Sequence, residues 1–277
     1  MSATEASVPR HPARERQVPA YRTDTLAERV NLYCVFVFVI NEGDRVRRQL
    51  AEMHALDLGA DVVIADGGSS DGSLDLAYLK SMGVQALLTK TGPGKLSAQM
   101  RMAFDYALLE GYAGVIVVDG NGKDEVSAIP DFVRLLDRGF DHVQGSRFIP
   151  GGRAVNTPLS RLLGLKLLHA PLISFVAGRR HTDTTNGFRA YSAALLNDPE
   201  IAVFRDVFVT YELHYHLAIE SSRAERFRVT ETPVTRTYPA SGRVPTKISP
   251  VRGNAHVLAV LFRAAAGRYR LRDGHPR

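Results

Sequence analysis

The chain of 277 residues contains no tryptophan and only one cysteine, Cys34. One cysteine excludes an intramolecular disulfide, which is typical of proteins that stay in a reducing cytoplasm. Cys34 lies within the apolar run 32–40, so we predict a small core side chain rather than a nucleophile. The first residues contain no apolar stretch behind a basic start, so we expect no secretory signal and a cytoplasmic location.

Long apolar runs are missing as well. A membrane span requires about 18 uninterrupted apolar residues, and the best candidate, 159–177, is interrupted by Arg161, Lys166 and His169. We therefore predict no transmembrane segment. The stretch could lie on the inner membrane surface with its basic residues toward the headgroups, or it could pack into the core, and the sequence favours neither.

Three signatures of nucleotide binding are absent. No G-x-G-x-x-G pattern follows the first predicted strand, which argues against a dinucleotide-binding unit. The segment GPGKLS at 92–97 resembles part of a phosphate loop, but Thr89 stands where that loop needs its first glycine. No glycine-rich loop with Arg and Lys follows the first strand, which argues against a nucleotidyltransferase. The aromatic residues do not interleave with a basic stripe, so nucleic acid is not expected as a partner.

The residues that are present predict a folded, basic α/β protein. The net charge of +6 favours contact with anions such as nucleotides or lipid phosphates. Apolar strand-like segments alternate with helical patterns, and this alternation predicts a mostly parallel sheet flanked by helices. The predicted strands are 32–40, 62–65, 84–88, 115–118, 142–144 and 226–235, and the predicted helices are 44–58, 73–82, 94–110, 126–137, 159–177, 211–220 and 251–268.

Ligands of such sheets bind at the carboxyl ends of the parallel strands, and two predicted strand ends carry acidic residues. Asp66 begins the turn DGGSSDGS, where its carboxylate could accept from a nucleobase N–H. The same turn could instead be solvated, with Asp71 as a helix cap. Asp119 and Asn121 follow the fourth strand, and oxygen ligands two residues apart can face one hard cation together.

Six motifs follow one another in an order that carries more information than any one of them. They are NEG at 41–43, DGGSSDGS at 66–73, GKLSAQMRMAFDYA at 94–107, VVDGNGKDEVSAIP at 117–130, GSR at 145–147 and DTTNGFRAYS at 183–192. In this order they resemble family 2 glycosyltransferases of the GT-A fold, and within them the dolichyl and polyprenyl-phosphate sugar transferases. The resemblance covers about 32–247 and includes Tyr211-Glu212 in a helix and a basic loop that ends in Thr246-Lys247.

The resemblance implies an inverting transfer of a sugar from a UDP- or GDP-sugar to a polyprenyl phosphate, within a GT-A domain at 29–250. That domain would lie between a flexible tail (1–28) and a C-terminal basic helix and tail (251–277). Asp66 would face the base, and Asp119 with Asn121 would hold Mg²⁺ or Mn²⁺ on the donor diphosphate. The complete set of implied donor-binding residues is Asn41, Glu42, Asp66, Lys95, Asp119, Lys123, Arg147 and Lys247.

The acceptor decides whether a base is needed. A lipid phosphate is already an anion, whereas a hydroxyl acceptor requires a carboxylate within reach of its proton. The resemblance offers Asp183 and Glu212 as catalytic residues for that role. Simpler structural roles are Asp183 as a cap and Glu212 as a helix-surface charge.

Three positions depart from the family pattern. Gly67 replaces an acidic residue of the Asp66 turn, Asn121 replaces the second carboxylate of the D-x-D motif, and Lys123 stands where an amide is frequent. Each change removes negative charge or adds positive charge, so we expect weak metal binding with Lys123 partly neutralising the diphosphate. Asp124 could supply another ligand or begin a helix. Further basic candidates for the leaving group are Arg236, Arg243 and Lys247.

Two other functions remain open at this point. Family members of this branch often carry C-terminal membrane spans, and this chain ends without one, which leaves room for a soluble small-molecule hydroxyl acceptor. Asn121 in the metal motif keeps open a noncatalytic protein that binds nucleotide-sugars.

Overall fold

The computed structural model describes residues 15–240 and 252–271. The strands are β1 (Tyr21–Thr25), β2 (Tyr33–Val39), β3 (Asp61–Asp66), β4 (Val84–Lys90), β5 (Gly114–Asp119), β6 (His142–Ser146), β7 (Arg153–Val155), β8 (Arg189–Ser192), β9 (Val229–Pro233) and β10 (Thr235–Thr237). Eight of them form one sheet in the order β1-β4-β3-β2-β5-β8-β6-β9, and β7 pairs with β10 in a second sheet.

The helices lie mainly where the sequence places them. They are α1 (Asp44–His54), α2 (Leu76–Ser81), α3 (Leu96–Leu109), α4 (Ile129–Asp137), α5 (Leu159–Gly164), α6 (Ala170–Ala177), α7 (Ala193–Asn197), α8 (Glu212–Arg223) and α9 (Arg252–Ala265). A 3₁₀ turn precedes α4, and a π-helical stretch, Leu165–His169, joins α5 to α6. Asp75, not Asp71, caps α2, because the turn after β3 is longer than expected.

The alternation of side chains along β2 explains the layered architecture. Every residue of β2 is buried, and in a strand successive side chains point to opposite faces. Phe36 and Phe38 pack in one apolar cluster with α3, α8 and α9. Val35 and Val37 pack in a second cluster with α1 and α4. The sheet therefore has helices on both faces, which confirms the predicted α/β fold.

The sheet is mostly parallel, and two of its strands, β1 and β8, run antiparallel to their neighbours. β2 pairs in parallel with β3 and β5, β3 with β4, and β6 with β9. No strand was predicted at β8, which inserts antiparallel between β5 and β6. It is four residues long and contains a buried arginine, Arg189, so neither its length nor its polarity indicates a strand.

The predicted flexible tail is wrong for residues 15–28. Residues 21–25 form β1, which pairs antiparallel with β4. Arg16 donates to Asp105 at 2.9 Å, which fixes the segment before β1 to helix α3. A polar edge strand exposes one face to water, and its composition therefore resembles that of an unstructured segment.

The apolar stretch Leu159–Ala177 forms one helical segment of 19 residues with a mean hydropathy of 1.4. It is the one helix in the described part of the chain that is long and apolar enough to cross a membrane, although the core helix of a soluble protein can meet the same criterion. Only 22% of its 18-residue window is buried inside the protein. Several of its large side chains are exposed: Leu159, Leu163, Leu167 and Phe175.

Candidate active site

The carboxyl ends of β2 and β3 are joined by side-chain hydrogen bonds. Asn41 adopts a left-handed conformation with φ of 49°, and its Oδ1 accepts from the Ser70 N–H at 2.8 Å. Glu42 accepts from Arg45 at 2.8 Å. Asn41 and Glu42 contribute to an open cleft of about 410 Å³, whose lining residues are Asn41–Arg45, Arg48 and Asp71.

Asp66 lies at the end of β3, opposite Val39 in the parallel register. Its carboxylate is buried and accepts from the Ser69 hydroxyl at 2.6 Å and from the Ser69 N–H at 2.9 Å. Gln99 of helix α3 donates to the Val39 carbonyl at 3.2 Å, which connects α3 to the end of β2. Asp66 therefore has a fixed orientation at the edge of the sheet where nucleotides bind in such folds.

Lys95 is exposed in the loop that follows β4 and begins helix α3. Its backbone N–H donates to the Val209 carbonyl at 2.9 Å, so this loop contacts the segment before α8. Lys95 lies at the same edge of the sheet as Asn41 and Asp66, because β2, β3 and β4 are parallel. The role of Lys95 in donor binding stays a prediction.

Asp119 and Asn121 lie side by side at the end of β5, as their spacing predicts. The Asn121 amide nitrogen donates to Asp119 Oδ2 at 3.2 Å, and the Asn121 Oδ1 accepts from the Lys123 N–H at 3.2 Å. Gly120 between them permits the close approach of β2, since a Cβ at this position would lie 2.9 Å from Val39 Cγ2. On the other side, a Cβ at Gly187, in the loop before β8, would lie 3.3 Å from Asp119 Oδ1.

Arg236 joins Asp119 to a second carboxylate. Its Nη2 donates to Asp119 Oδ2 at 3.0 Å, and its Nη1 donates to Asp124, whose side chain is 0% exposed. Burial acts to raise the pKa of Asp119, but the charge and hydrogen bond of Arg236 outweigh it and lower that pKa overall. Burial raises the pKa of Asp124, and the charge of Arg236 opposes this effect.

Three basic side chains surround Tyr238 next to this ion pair. The Lys123 Nζ lies 5.4 Å from the centroid of the Tyr238 ring, and the guanidinium carbons of Arg161 and Arg236 lie at 5.6 and 5.9 Å. Burial lowers the pKa of Lys123, and the charge of Arg236 lowers it further. Burial acts to raise the pKa of Tyr238, but the charge of Arg236 and the hydrogen bond from Arg161 lower it overall.

We call Lys123, Arg161 and Arg236 the basic cluster. Such a concentration of positive charge suits an anion like a diphosphate. Sequence reasoning missed Arg161 and Tyr238. Arg161 lies on α5 after β7, Tyr238 follows β10, and the pairing of β7 with β10 brings the two segments together. No spacing signal connects position 161 with position 238.

Asp183 and Arg147 form a buried bidentate ion pair. The Arg147 Nε donates to Asp183 Oδ2 at 2.6 Å, and its Nη2 donates to Oδ1 at 2.9 Å. The Asp183 side chain is 0% exposed and the Arg147 side chain is 4% exposed. Burial acts to lower the pKa of Arg147, but the hydrogen bond and charge of Asp183 raise it overall. Asp183 also accepts from the backbone N–H of Asn186 at 3.2 Å, so both of its oxygens already have donors.

Glu212 begins helix α8 and is also buried. Its carboxylate accepts from the Val209 N–H at 2.9 Å and from the Thr210 hydroxyl at 2.8 Å. The surface charge considered as its simpler role is therefore wrong, because this carboxylate organises the loop before the helix. The structure does not bring Asp183 and Glu212 together with a free oxygen, and their catalytic role stays a prediction. Arg243 and Lys247 lie outside the described residues.

The residues around Asp119 do not fit an ordinary divalent-cation site. Asp119 is paired with Arg236, and Asn121 directs its amide nitrogen toward Asp119. Among the residues that the structure describes, no group of three or more His, Cys, Asp or Glu side chains could hold a metal ion.

The architecture is that of GT-A glycosyltransferases. Glucosyl-3-phosphoglycerate synthase from Mycobacterium tuberculosis in complex with UDP has a TM-score of 0.56 and 15% identity, over 84% of this chain and 80% of that one. Mannosyl-3-phosphoglycerate synthase from Rubrobacter xylanophilus has a TM-score of 0.55 and 15% identity, over 88% and 78%. The Mycobacterium tuberculosis enzyme has also been crystallised with Mn²⁺ and UDP-glucose. At these identities the likeness shows the fold, and the chain has the GT-A fold.

Similarity of sequence adds the activity. Polyprenol monophosphomannose synthase of Mycolicibacterium smegmatis is 26% identical over 73% of this chain and 76% of its own length. Undecaprenyl-phosphate mannosyltransferase of Micrococcus luteus is 28% identical over 64% and 71%. Glycosyltransferase AglJ of Haloferax volcanii is 26% identical over 84% and 71%. No family model matches the chain. The chain is a glycosyltransferase of the GT-A fold, and the resemblance to polyprenyl-phosphate sugar transferases is confirmed.

Proposed function

We propose that this glycosyltransferase moves a sugar, with inversion, from a UDP- or GDP-linked donor to a polyprenyl phosphate. The observation that carries the proposal is Arg161. It lies on the exposed apolar helix and reaches the Tyr238 hydroxyl, at 3.4 Å, in the basic cluster. One element thus combines an apolar surface with an anion site, which is the chemistry of a lipid phosphate. The relatives named polyprenol monophosphomannose synthase and undecaprenyl-phosphate mannosyltransferase support the same acceptor class.

The state of the two candidate bases favours an anionic acceptor. Both oxygens of Asp183 accept hydrogen bonds, and Glu212 accepts from two residues of the preceding loop. Both carboxylates are buried, so a hydroxyl acceptor would have to bring its proton to a buried, hydrogen-bonded oxygen. An acceptor phosphate already carries the negative charge that attacks the anomeric carbon, so no such proton transfer is needed.

The donor would lie along the carboxyl ends of β2, β3 and β5. Asn41, Glu42 and Asp66 border the nucleoside, and Lys123 and Arg236 neutralise the charge that grows on the departing diphosphate. Arg161 faces the acceptor phosphate. Lys95 and Lys247 are proposed as further contacts to the donor. Arg147 acts in this arrangement through Asp183, as the partner that fixes the loop before β8.

The exposed helix would also hold the protein at a membrane surface. Leu167 is 73% exposed and Phe175 is 86% exposed, whereas Arg161 and Lys166 on the same helix supply positive charge toward anionic headgroups. We propose peripheral contact with the inner face of the cytoplasmic membrane, where a polyprenyl phosphate presents its headgroup.

The test is a turnover assay with a panel of UDP- and GDP-sugars, read by mass spectrometry. Each donor is combined with polyprenyl phosphate in mixed vesicles, or with a soluble hydroxyl acceptor such as 3-phosphoglycerate. A lipid-linked sugar is expected, and it would identify the donor. Turnover that occurs only with the soluble acceptor would overturn the acceptor class and leave the glycosyltransferase assignment in place.

A further inference from the structure

Arg236 contacts the carboxylate that the sequence predicts as a metal ligand. It lies 3.0 Å from Asp119, the carboxylate of the expected metal pair, and also donates to the buried Asp124. The second member of the pair, Asn121, uses its amide oxygen to accept from the Lys123 N–H. Both expected ligands are therefore engaged by groups of this chain.

The backbone around Arg236 is paired on both sides. The Thr237 N–H donates to the Lys123 carbonyl at 2.8 Å, and the Glu125 N–H donates to the Thr235 carbonyl at 3.1 Å. On its other side, β10 pairs with β7. The loop that carries Asp119 and the strand that carries Arg236 thus form one unit, so the arginine is built into the site rather than placed there by a mobile loop.

The charges of this unit are already balanced. Arg236 and Lys123 are opposed by two carboxylates, those of Asp119 and Asp124. A divalent ion beside Asp119 would add two positive charges next to the Arg236 guanidinium, which opposes its binding. A bound diphosphate, in contrast, would bring negative charge to a place where basic side chains are close.

We propose that Arg236 replaces the divalent cation of this fold, and that the glycosyl transfer proceeds without a bound metal. This inference rests on the proposed function. In the step, the bond between the anomeric carbon and the diphosphate oxygen breaks, and its electron pair stays on the diphosphate. A new bond forms from the acceptor phosphate oxygen, and no proton moves. Arg236, assisted by Lys123, stabilises the charge of the leaving diphosphate.

The first measurement is calorimetric binding of UDP and of GDP to the full chain, with EDTA or with Mn²⁺. We expect one of them to bind with the same Kd, within about twofold, in both conditions. Binding of the preferred nucleotide that appears only with Mn²⁺ would overturn the inference. Because no acceptor is present, this result does not depend on the proposed function. The proposed function is refuted separately, if no lipid-linked sugar forms in the turnover assay.

The second measurement uses Arg236→Gln, which frees the two carboxylates. We expect kcat/KM in EDTA to fall by about 100-fold, and Mn²⁺ binding, read by electron paramagnetic resonance, to appear in the variant and not in the original protein. If Arg236→Gln fails to fold because Asp124 stays buried without its partner, the double variant Asp124→Asn/Arg236→Gln removes both charges and gives the first readout, kcat/KM in EDTA.

Arg22→Gln is the matched control, because it removes the same charge from an exposed side chain of β1; it should leave activity unchanged. A Mn²⁺ requirement of the original protein, or equal activity of Arg236→Gln in EDTA, would refute the role of Arg236.

Discussion

The buried Arg147–Asp183 pair gives the sharpest test of how this site works. Asp183→Asn keeps the shape of the side chain but removes its charge, and it leaves a guanidinium that is 4% exposed without a counter-ion. Breaking a buried ion pair in this way costs about 3–5 kcal/mol. For a domain of this size each kcal/mol lowers the melting temperature by about 2–4 °C, so the variant should melt about 6–20 °C lower.

The assay combines a thermal melt with kinetics at a temperature where the variant is folded. If Asp183 is a structural anchor, kcat should fall by less than about tenfold, whereas loss of a general base costs about 10²–10⁴-fold. The double variant Arg147→Met/Asp183→Leu should regain most of the lost stability, because apolar residues can replace a buried pair at little cost. A variant Asp183→Asn that melts normally but loses about 10³-fold in kcat would refute the reasoning and identify Asp183 as the base.

Three further predictions follow from other parts of the structure. Asp119→Ala should reduce kcat/KM by about 10²–10³-fold. Its melting temperature should change less than that of Asp183→Asn, because the Asp119 side chain is 34% exposed. Turnover close to that of the original protein would contradict the assignment of the donor site. Phe175→Glu should weaken sedimentation with anionic vesicles without changing nucleotide binding, and unchanged sedimentation would exclude the exposed helix as the membrane contact. Burial and the charges of Arg189 and Arg179 lower the pKa of His181 to about 4, whereas the unfolded chain has a histidine pKa of about 6.5. Between these two values the unfolded chain binds the proton and the folded chain does not. The free energy of unfolding should therefore fall as the pH falls from about 6.5 to 4. Denaturant titrations should show a shallower fall for His181→Gln, and equal slopes would refute this assignment.

Much of the donor side could be predicted from the sequence, because it depends on order along the chain. Asp66 and Asp119 each end an apolar strand, and parallel strands bring their carboxyl ends to one edge. Local pattern was sufficient to place both side chains, and the pairing of Asn121 with Asp119 follows from a spacing of two residues.

The rest depends on contacts between distant segments. Arg161 and Tyr238 meet only because β7 and β10 pair, and no local pattern contains that pairing. Asp183, a candidate base, is buried in an ion pair with Arg147, and no local sequence pattern indicates this contact. Strand β1 was missed for a related reason, since an edge strand with polar residues is stabilised by its partner β4 rather than by its own composition.

The single thiol has a practical consequence for the experiments above. Cys34 is fully buried in the middle of the sheet, and burial together with the charge of Asp61 raises its pKa well above the ordinary value. A thiol in that state reacts slowly with maleimides and iodoacetamides. The protein is therefore a ready background for site-specific labelling: a cysteine introduced at Phe175 would carry a dye alone, and its emission would report directly whether this helix enters a lipid environment.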